Sequence, residues 1–228
     1  MPGFSPPEYD HWYSYDQLTA YLQRAAELFP GLCSLESLAA TPEGRDIWML
    51  EVTDLAGGGA DDKPVFFVHG NIHAKELAGT TASLQLIHSL LTGEAQDVDV
   101  ASLLEDVAFC VVPRLNPDGA EFALVTGGEI RSRLEESRLP NCLYQQDVDG
   151  DGFIVSMRVE RPDGDMKLSD ADARLLVPRE PTDDEGVFYH VYPEGMVHEY
   201  DGGDFTWCNR SHDFNRNWPA NWRQEHEQ

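Results

Sequence analysis

A histidine and a glutamate three residues apart, His73 and Glu76, have the residue types and spacing of a metal-binding pair. They follow the apolar run 64–68 and open a helical pattern that extends to about Leu91. On a turn that enters a helix, residues three apart face the same way, so an imidazole nitrogen and a carboxylate oxygen can reach one cation. This pair of ligand types suits zinc. The alternative is a histidine at a helix start beside a surface glutamate, since this spacing is common by chance.

Two later clusters are also rich in polar side chains. The string NPDG at 116–119 follows the apolar run 107–112 and is typical of a tight turn, and Arg131 comes 15 residues after Asn116. The string DFNRNW at 213–218 places an arginine beside an asparagine between aromatic residues, which suits the planar recognition of a carboxylate. An exposed arginine near a packed tryptophan is the alternative interpretation of this string.

The elements that must position these residues alternate between helix and strand patterns. Ser14 begins a capping box, and apolar residues follow it at helical spacing as far as Phe29. The segments 47–52 and 107–112 are rich in strand formers, and the wholly apolar run 64–68 predicts a strand buried on both faces. This alternation predicts a three-layer α/β fold, with a mixed central sheet and helices on both faces.

The composition changes in the second half of the chain. Residues 139–212 are dense in Asp, Gly, Pro and Arg, and we interpret them as an insertion of loops and hairpins in a single domain over 1–228. The insertion opens with DVDGDG, which puts Asp147, Asp149 and Asp151 at positions 1, 3 and 5 of a calcium loop and a glycine at position 6. Position 12 carries an arginine instead of the bidentate glutamate. We therefore favour an acidic hairpin turn, with a Ca²⁺ site as the alternative.

The charge balance argues against several classes of partner. The 228 residues include 41 acids and 16 bases, a formal net charge of −25. Such a field repels phosphate backbones and anionic lipid, so we expect no nucleic-acid or membrane partner. No run of 18 apolar residues and no signal peptide is recognisable, which favours a cytoplasmic protein. The four cysteines lack CxxC spacing, which favours buried free thiols, with a Cys142–Cys208 disulfide as the alternative.

Together the three clusters resemble the metallocarboxypeptidase family typified by pancreatic carboxypeptidase A. That family has an HxxE zinc motif after a buried strand, then an NPDG turn, then an arginine at the separation that Arg131 has here. It also has a later Asn-Arg pair within a D-x-N-R-N-W string. The turn TPEGR at 41–45 before a strand fits as well, and the resemblance covers most of residues 10–138 and 213–222. Three motifs in the family's order, with one matched spacing, are far more specific than HxxE alone.

The resemblance implies a zinc-dependent peptidase with a carboxypeptidase-like fold. His73 and Glu76 would be two of the three protein ligands of Zn²⁺. Asp213 would be the hydrogen-bond acceptor that orients the His73 ring. Arg131 would be the catalytic residue that stabilises the oxyanion when water attacks the scissile carbonyl.

The Asn-Arg pair has its own implied role. By the same resemblance, Asn215 and Arg216 would hold the free α-carboxylate of a peptide substrate, which makes the activity that of an exopeptidase. A carboxylate requires a bidentate partner that is always charged, and a guanidinium meets both requirements.

The chain departs from the family's pattern after the Asn-Arg pair. There the family has its third zinc ligand, a histidine, and a general-base glutamate, but only 12 residues follow Arg216. His226 is too close to match, and neither Glu225 nor Glu227 can be assigned as the base. We therefore expect a truncated or N-terminal part of a carboxypeptidase, with weak zinc binding and little or no peptidase activity alone. The alternatives are a non-catalytic module that binds zinc or peptide carboxylates, and an acidic calcium-dependent interaction domain.

Overall fold

The computed structural model describes residues 3–94, 98–128, 130–134, 139–208 and 211–224. The chain divides into two compact units. The first unit comprises Met1–Leu124, Ile130–Leu134 and Ser211–Gln228, and the second unit comprises Val125–Glu129 and Glu135–Arg210. That residues 139–212 form an insertion stays a prediction. In the part of the chain that the structure describes, every helix is too short or too polar to cross a membrane.

Helices and strands alternate through the first half of the chain, and short strands dominate the second. The α-helices are α1 (Tyr15–Leu28), α2 (Ala78–Thr92), α3 (Val100–Asp106) and α4 (Pro117–Thr126). The strands are β1 (Cys33–Ala40), β2 (Asp46–Val52), β3 (Val65–His69), β4 (Ala108–Val112), β5 (Arg133–Leu134), β6 (Cys142–Gln145), β7 (Ser156–Glu160), β8 (Met166–Leu168), β9 (Leu176–Pro178), β10 (Phe188–Pro193), β11 (Gly195–His198), β12 (Thr206–Trp207) and β13 (Ser211–His212). Two 3₁₀ helices cover Leu55–Gly57 and Phe214–Arg216.

The sheet of the first unit is mixed, which confirms the α/β class. Its strand order is β1-β2-β4-β3, in which β3 and β4 are parallel and the other neighbours are antiparallel. Strands β5 and β13 form a separate antiparallel pair. In the second unit the strand orders are β7-β10-β8-β9 and β11-β6-β12.

Helix α1 forms where the sequence predicts it. The capping box is present, because the Ser14 hydroxyl accepts from the Gln17 N–H and the Gln17 side chain accepts from the Ser14 N–H. Leu18, Leu22 and Ala25 recur at helical spacing and are buried. They join one apolar core with side chains of α2, α3, β2 and β4.

Strand β3 is less buried than its sequence predicts. The exposed fractions of Val65, Phe66 and Phe67 are 48%, 58% and 53%. Strand β3 lies at the edge of the sheet, whereas β4 lies between two strands and its Val111 is fully buried. An apolar run predicts burial on both faces only when other elements cover the strand, and the run itself does not encode that cover. The prediction of a fully buried strand over 64–68 is therefore wrong.

The cysteines fall into two classes, one in each unit. Cys33 and Cys110 are buried free thiols, as predicted. Cys142 and Cys208 form a disulfide in the second unit, with Cα atoms 5.4 Å apart, so the free-thiol prediction is wrong for this pair. The reason is the parallel pairing of β12 with β6, which puts Thr206 opposite Cys142 and brings Cys208 within bonding distance.

Candidate functional site

The predicted metal ligands lie on the loop that joins β3 to α2. A Cβ atom on Gly70 would come within 2.6 Å of the Gly79 carbonyl, so only glycine allows this close approach of the loop to the start of α2. Asn71 adopts a left-handed conformation, with φ of 52°. Its side-chain Nδ2 donates to the His73 carbonyl at 2.7 Å, and its Oδ1 accepts from the Thr80 hydroxyl at 3.2 Å. These contacts fix the loop before any ligand binds.

The two ring nitrogens of His73 have different surroundings. Nε2 lies 3.0 Å from Oδ1 of Asp213, which assigns the ring proton to Nε2 and leaves a lone pair on Nδ1. Nδ1 lies 2.9 Å from Oε1 of Glu76, yet the angle gives no hydrogen bond, and this buried nitrogen has no hydrogen-bond partner among the described residues. The donor set of one imidazole nitrogen and one carboxylate oxygen is that of a zinc site. The orphaned nitrogen and the adjacent carboxylate therefore fit a shared Zn²⁺.

Asp213 connects His73 to Arg131. Its Oδ2 accepts from Arg131 Nε at 3.1 Å, and its Oδ1 also accepts from the Asn215 N–H at 2.9 Å. Desolvation raises the pKa of Asp213, but the hydrogen bonds from the His73 ring, the Arg131 guanidinium and the backbone outweigh it and lower the pKa below its ordinary value. Asp213 thus stays ionised. Nη1 of Arg131 lies 3.7 Å from Oε1 of Glu76, so the guanidinium sits beside the predicted metal ligands.

Asn116 ties the metal-ligand loop to the Arg131 segment, a role that its motif does not reveal. Its Nδ2 donates to the carbonyls of Ser132 at 2.7 Å and Ile72 at 3.3 Å. Its Oδ1 accepts from the Gly119 N–H at 3.0 Å, as the residue before a helix does. Because α4 begins at Pro117, the NPDG string starts a helix, and the prediction of an isolated tight turn is wrong.

Two further contacts hold the same segments in place. The Ala74 N–H donates to the Arg131 carbonyl at 2.8 Å, which joins the two predicted active-site segments directly. Asp118 accepts from the Thr41 hydroxyl and from Nη1 of Arg45, both at 2.8 Å. The TPEGR turn therefore anchors the NPDG string, although the two are far apart in the sequence.

The predicted carboxylate pair lies on the 3₁₀ helix that begins at Phe214. Asn215 and Arg216 line a cavity of about 250 Å³. Nε1 of Trp218 donates to Oδ1 of Asn215 at 2.9 Å, and the Trp218 ring packs 5.5 Å from the ring of His69. The amide nitrogen Nδ2 of Asn215 is a hydrogen-bond donor. The backbone bond from Asn215 to Asp213 links this pair to the predicted metal ligands.

Comparison with known proteins identifies the family. A sequence profile described as Zinc carboxypeptidase, Peptidase M14, matches residues 18–152, more than half of the chain. The chain belongs to the zinc carboxypeptidase family. The profile match contains His73, Glu76 and Arg131, whereas the DFNRNW string lies beyond it.

The similar proteins are longer than this chain. Carboxypeptidase B of Astacus astacus is 31% identical over 115 residues, which cover 50% of this chain and 36% of that protein. Inactive metallocarboxypeptidase ECM14 of Ajellomyces capsulatus is 27% identical over 125 residues, which cover 55% of this chain and 21% of that protein. The crystal structure of the carboxypeptidase A from Helicoverpa armigera matches with 29% identity and a TM-score of 0.45, over 51% of this chain and 27% of that chain. The matched segments thus cover between 21% and 36% of the length of these relatives.

Among the described residues, two of the three zinc ligands that the family resemblance predicts lie side by side. In this part of the chain, no third side chain of a ligand type joins His73 and Glu76. Glu225, His226 and Glu227, considered above as a third ligand or a base, lie outside the described residues.

The three aspartates of the predicted calcium loop come together in the second unit. Their carboxylate oxygens lie within 4.8 Å of one another. The Asp147 carboxylate accepts from the N–H groups of Gly150 at 2.7 Å and Gly152 at 2.9 Å. Asp149 and Asp151 each accept a backbone N–H from two residues ahead, at 3.1 and 2.8 Å. These bonds are those of an acidic turn, and calcium at this loop stays a prediction.

Proposed function

We propose that this chain forms the zinc-binding and carboxylate-binding part of a metallocarboxypeptidase that removes C-terminal residues from peptides. The arrangement of His73 and Glu76 carries the proposal. Their Nδ1 and Oε1 atoms lie 2.9 Å apart without a hydrogen bond, while Asp213 holds the opposite ring nitrogen. A cation bound by both atoms satisfies this geometry, because it replaces the missing hydrogen bond on a buried nitrogen.

The contacts of each residue suggest its part in the reaction. Zinc bound by His73 and Glu76 would supply Lewis-acid polarisation of the scissile carbonyl. Asp213 keeps the proton on Nε2 of His73, so that Nδ1 remains a ligand, and it also fixes the Arg131 guanidinium. Arg131, beside Glu76, offers positive charge to the carbonyl oxygen on which negative charge develops.

The Asn-Arg pair defines which peptides are substrates. The Arg216 guanidinium can form a bidentate pair with a carboxylate, and Asn215 adds an amide donor. Both groups line one cavity. A peptide that ends in a free carboxylate meets them with the right charge, and a peptide amide does not. The partner of this site is therefore a peptide with a free C-terminus.

A second candidate is a non-catalytic module that binds zinc and peptide carboxylates. Similarity to a relative described as an inactive metallocarboxypeptidase supports it. In both candidates His73 and Glu76 bind zinc, and the candidates differ only in turnover.

Zinc titration tests what the two candidates share. We expect calorimetry to give about one weakly bound zinc per chain, because the described residues supply two protein ligands to a set that usually has about four. His73→Ala should abolish this binding. His198→Ala is the matched control, because His198 belongs to the second unit, where its Nε2 faces Glu199. Zinc binding that survives His73→Ala would contradict both candidates.

Hydrolysis separates the two candidates. We expect little or no turnover of an N-blocked dipeptide by the 228-residue chain with zinc. A longer polypeptide that carries this chain should cleave the free acid and not the C-terminal amide. If that longer polypeptide binds zinc but cleaves neither peptide, the non-catalytic module is the correct function.

A further inference from the structure

Three segments of the candidate site meet at one buried hydroxyl group, that of Ser132. The exposed fraction of Ser132 is 0%. Its Oγ donates to the Ile72 carbonyl at 3.4 Å and accepts from the Phe214 N–H at 3.2 Å. Ile72 directly precedes His73, and Phe214 directly follows Asp213. One hydroxyl therefore bonds the backbone beside the predicted metal ligand and the backbone beside the residue that orients this ligand.

The chemistry of serine matches these two bonds. A hydroxyl has one hydrogen to donate and lone pairs to accept, and here a carbonyl takes the hydrogen while an N–H takes a lone pair. The backbone of Ser132 is held in turn, because its carbonyl accepts from Nδ2 of Asn116 at 2.7 Å. The preceding carbonyl, that of Arg131, accepts from the Ala74 N–H at 2.8 Å. Ser132 is thus fixed to the metal-ligand loop and can pass that position on.

The backbone that Ser132 holds sets the direction of the Asp213 carboxylate. Asp213 is extended, with φ of −90° and ψ of 100°, and its side chain accepts from the Asn215 N–H at 2.9 Å. The same Oδ1 lies 3.0 Å from Nε2 of His73, a residue 140 positions away in the chain. The alignment of carboxylate and ring therefore depends on bonds between the two segments. The bond from the Phe214 N–H to Ser132 is one of them, a single residue from the carboxylate.

We infer that Ser132 is a positioning residue of the zinc site, which acts through Asp213 by keeping its carboxylate on Nε2 of His73. The inference rests on the function proposed above, in which Nδ1 of His73 binds zinc. Without the hydroxyl, the carboxylate shifts and no longer selects one position for the ring proton. Both tautomers then become populated, and only the tautomer protonated at Nε2 leaves the Nδ1 lone pair for a metal.

Two measurements on the 228-residue chain test this role. Long-range ¹H–¹⁵N NMR of the zinc-free chain reports which nitrogen of His73 carries the proton, and calorimetry gives the zinc affinity. In the wild-type chain we expect the proton on Nε2. Ser132→Ala should populate both tautomers and weaken zinc binding about tenfold, the lower end of the range for residues that orient a metal ligand.

A second pair of variants removes the same bond from its donor side. Phe214→Pro deletes the N–H, and proline is tolerated at the first position of a helix after an extended residue. Phe214→Ala also loses the ring but keeps the N–H, so it is the matched control. Relative to Phe214→Ala, Phe214→Pro should reproduce both effects of Ser132→Ala. This pair decides the question if Ser132→Ala does not fold.

Two further variants separate positioning from a general loss of stability. In the Asp213→Asn background, Ser132→Ala should change the zinc affinity by less than about twofold, because the carboxylate that it positions is gone. Thr53→Val removes another fully buried hydroxyl, which donates to the Leu104 carbonyl at 2.9 Å and accepts from Lys63 Nζ at 3.0 Å. It should lower the midpoint of denaturant unfolding and leave both the tautomer and the zinc affinity unchanged.

The outcomes distinguish this inference from the function on which it rests. A wild-type chain that binds no zinc contradicts the proposed function, and the tautomer measurement then still decides the role of Ser132. The inference is wrong if Ser132→Ala and Phe214→Pro leave the proton on Nε2 and the zinc affinity unchanged. It is also wrong if Ser132→Ala costs tenfold in the Asp213→Asn background, or if Thr53→Val weakens zinc equally, because stability alone then explains the loss.

Discussion

The two compact units are stabilised by different means. In the first unit, helices α1, α2 and α3 pack with β2 and β4 around one apolar core in which Leu22 and Leu50 are fully buried. Among the described residues of the second unit, the buried apolar side chains are Leu143, Phe188 and one disulfide cysteine. Units with so small a core depend on cross-links and polar contacts. The second unit therefore owes its order to its disulfide and its hydrogen bonds.

The candidate metal ligands of the two units differ in whether hydrogen bonds already occupy their ligand atoms. Asp213 holds one nitrogen of His73 and leaves the other without a hydrogen bond. In the acidic loop, the carboxylates of Asp147, Asp149 and Asp151 accept backbone N–H groups of the loop itself. A cluster of ligand types is therefore weak evidence for a metal site. Stronger evidence is a hydrogen bond to one ring nitrogen of a histidine that leaves the lone pair of the other, buried nitrogen available to a metal.

Removal of the disulfide should have the largest effect and should be confined to the second unit. The pair Cys142→Ser and Cys208→Ser opens a loop with a sequence separation of 66, worth about 4 kcal/mol by the chain-entropy estimate. Amide hydrogen exchange measures both units at once. We expect protection to fall in β6 and β10 and to remain in β4. An equal loss in β4 would contradict the contrast between the units.

Thiol reactivity tests the same contrast without mutation. Burial raises the pKa of Cys33 to about 11 and also raises the pKa of Cys110. At pH 8 the reactive thiolate of Cys33 is therefore more than about a hundredfold rarer than in an exposed cysteine. Titration with a disulfide reagent should find no fast thiol in the native chain. It should find two thiols in denaturant and four after reduction. Four thiols without reduction would disprove the disulfide.

Asp213→Asn should weaken zinc binding by about 10- to 100-fold, because the amide no longer fixes the proton on the histidine nitrogen opposite the metal. Calorimetric zinc titration measures the change. Asp165→Asn is a matched control in the second unit, since Asp165 Oδ1 also lies 3.0 Å from a histidine nitrogen, that of His190. Equal zinc affinity of Asp213→Asn and the wild-type chain would remove the distinction between the two ligand clusters.

Glu194→Gln should destabilise the acidic loop. The buried Glu194 carboxylate accepts from the N–H groups of Val148 at 2.7 Å and Val155 at 3.3 Å. Loss of its charge should cost about 2 kcal/mol, since buried donors are left with a weaker acceptor. Amide exchange at Val148 should then accelerate by about 30-fold. Glu160→Gln, at an exposed position of β7, is the control and should leave this rate unchanged.

Calcium should have the smallest effect. Because backbone N–H groups already bond the carboxylates of the loop, we expect 2 mM CaCl₂ to shift the melting temperature by no more than about 1 °C. A rise of several degrees that Asp149→Asn abolishes would establish a calcium site and restore the alternative interpretation of the DVDGDG string.

The features that the sequence predicted well depend on neighbouring residues. The capping box at Ser14 and the approach of Glu76 to His73 each involve residues three apart, so local backbone geometry is enough to produce them. The mixed α/β class follows similarly from alternating helix and strand patterns. The Asp213 contact with His73 was predicted only through a family resemblance, because 140 residues separate the two.

The features that the sequence did not predict depend on distant partners. The exposure of Phe66 results from the position of β3 at the edge of the sheet, and strand order is not encoded in the strand itself. The disulfide depends on the pairing of β6 with β12. Asn116 bridges the segments of Ile72 and Ser132, both of which lie outside its own motif. Glu194 is one of 41 acids and belongs to no motif, so only its burial reveals its role.

The half-exposed phenylalanines of β3 have a practical consequence for handling the protein in solution. An apolar edge strand is a template for pairing with another molecule. The net charge of −25 keeps copies apart at low ionic strength, but the range of this repulsion shrinks to about 8 Å at physiological salt. We therefore expect concentrated samples to aggregate as salt is added, and we expect Phe66→Lys, which places a cation at the exposed edge of β3, to reduce this aggregation.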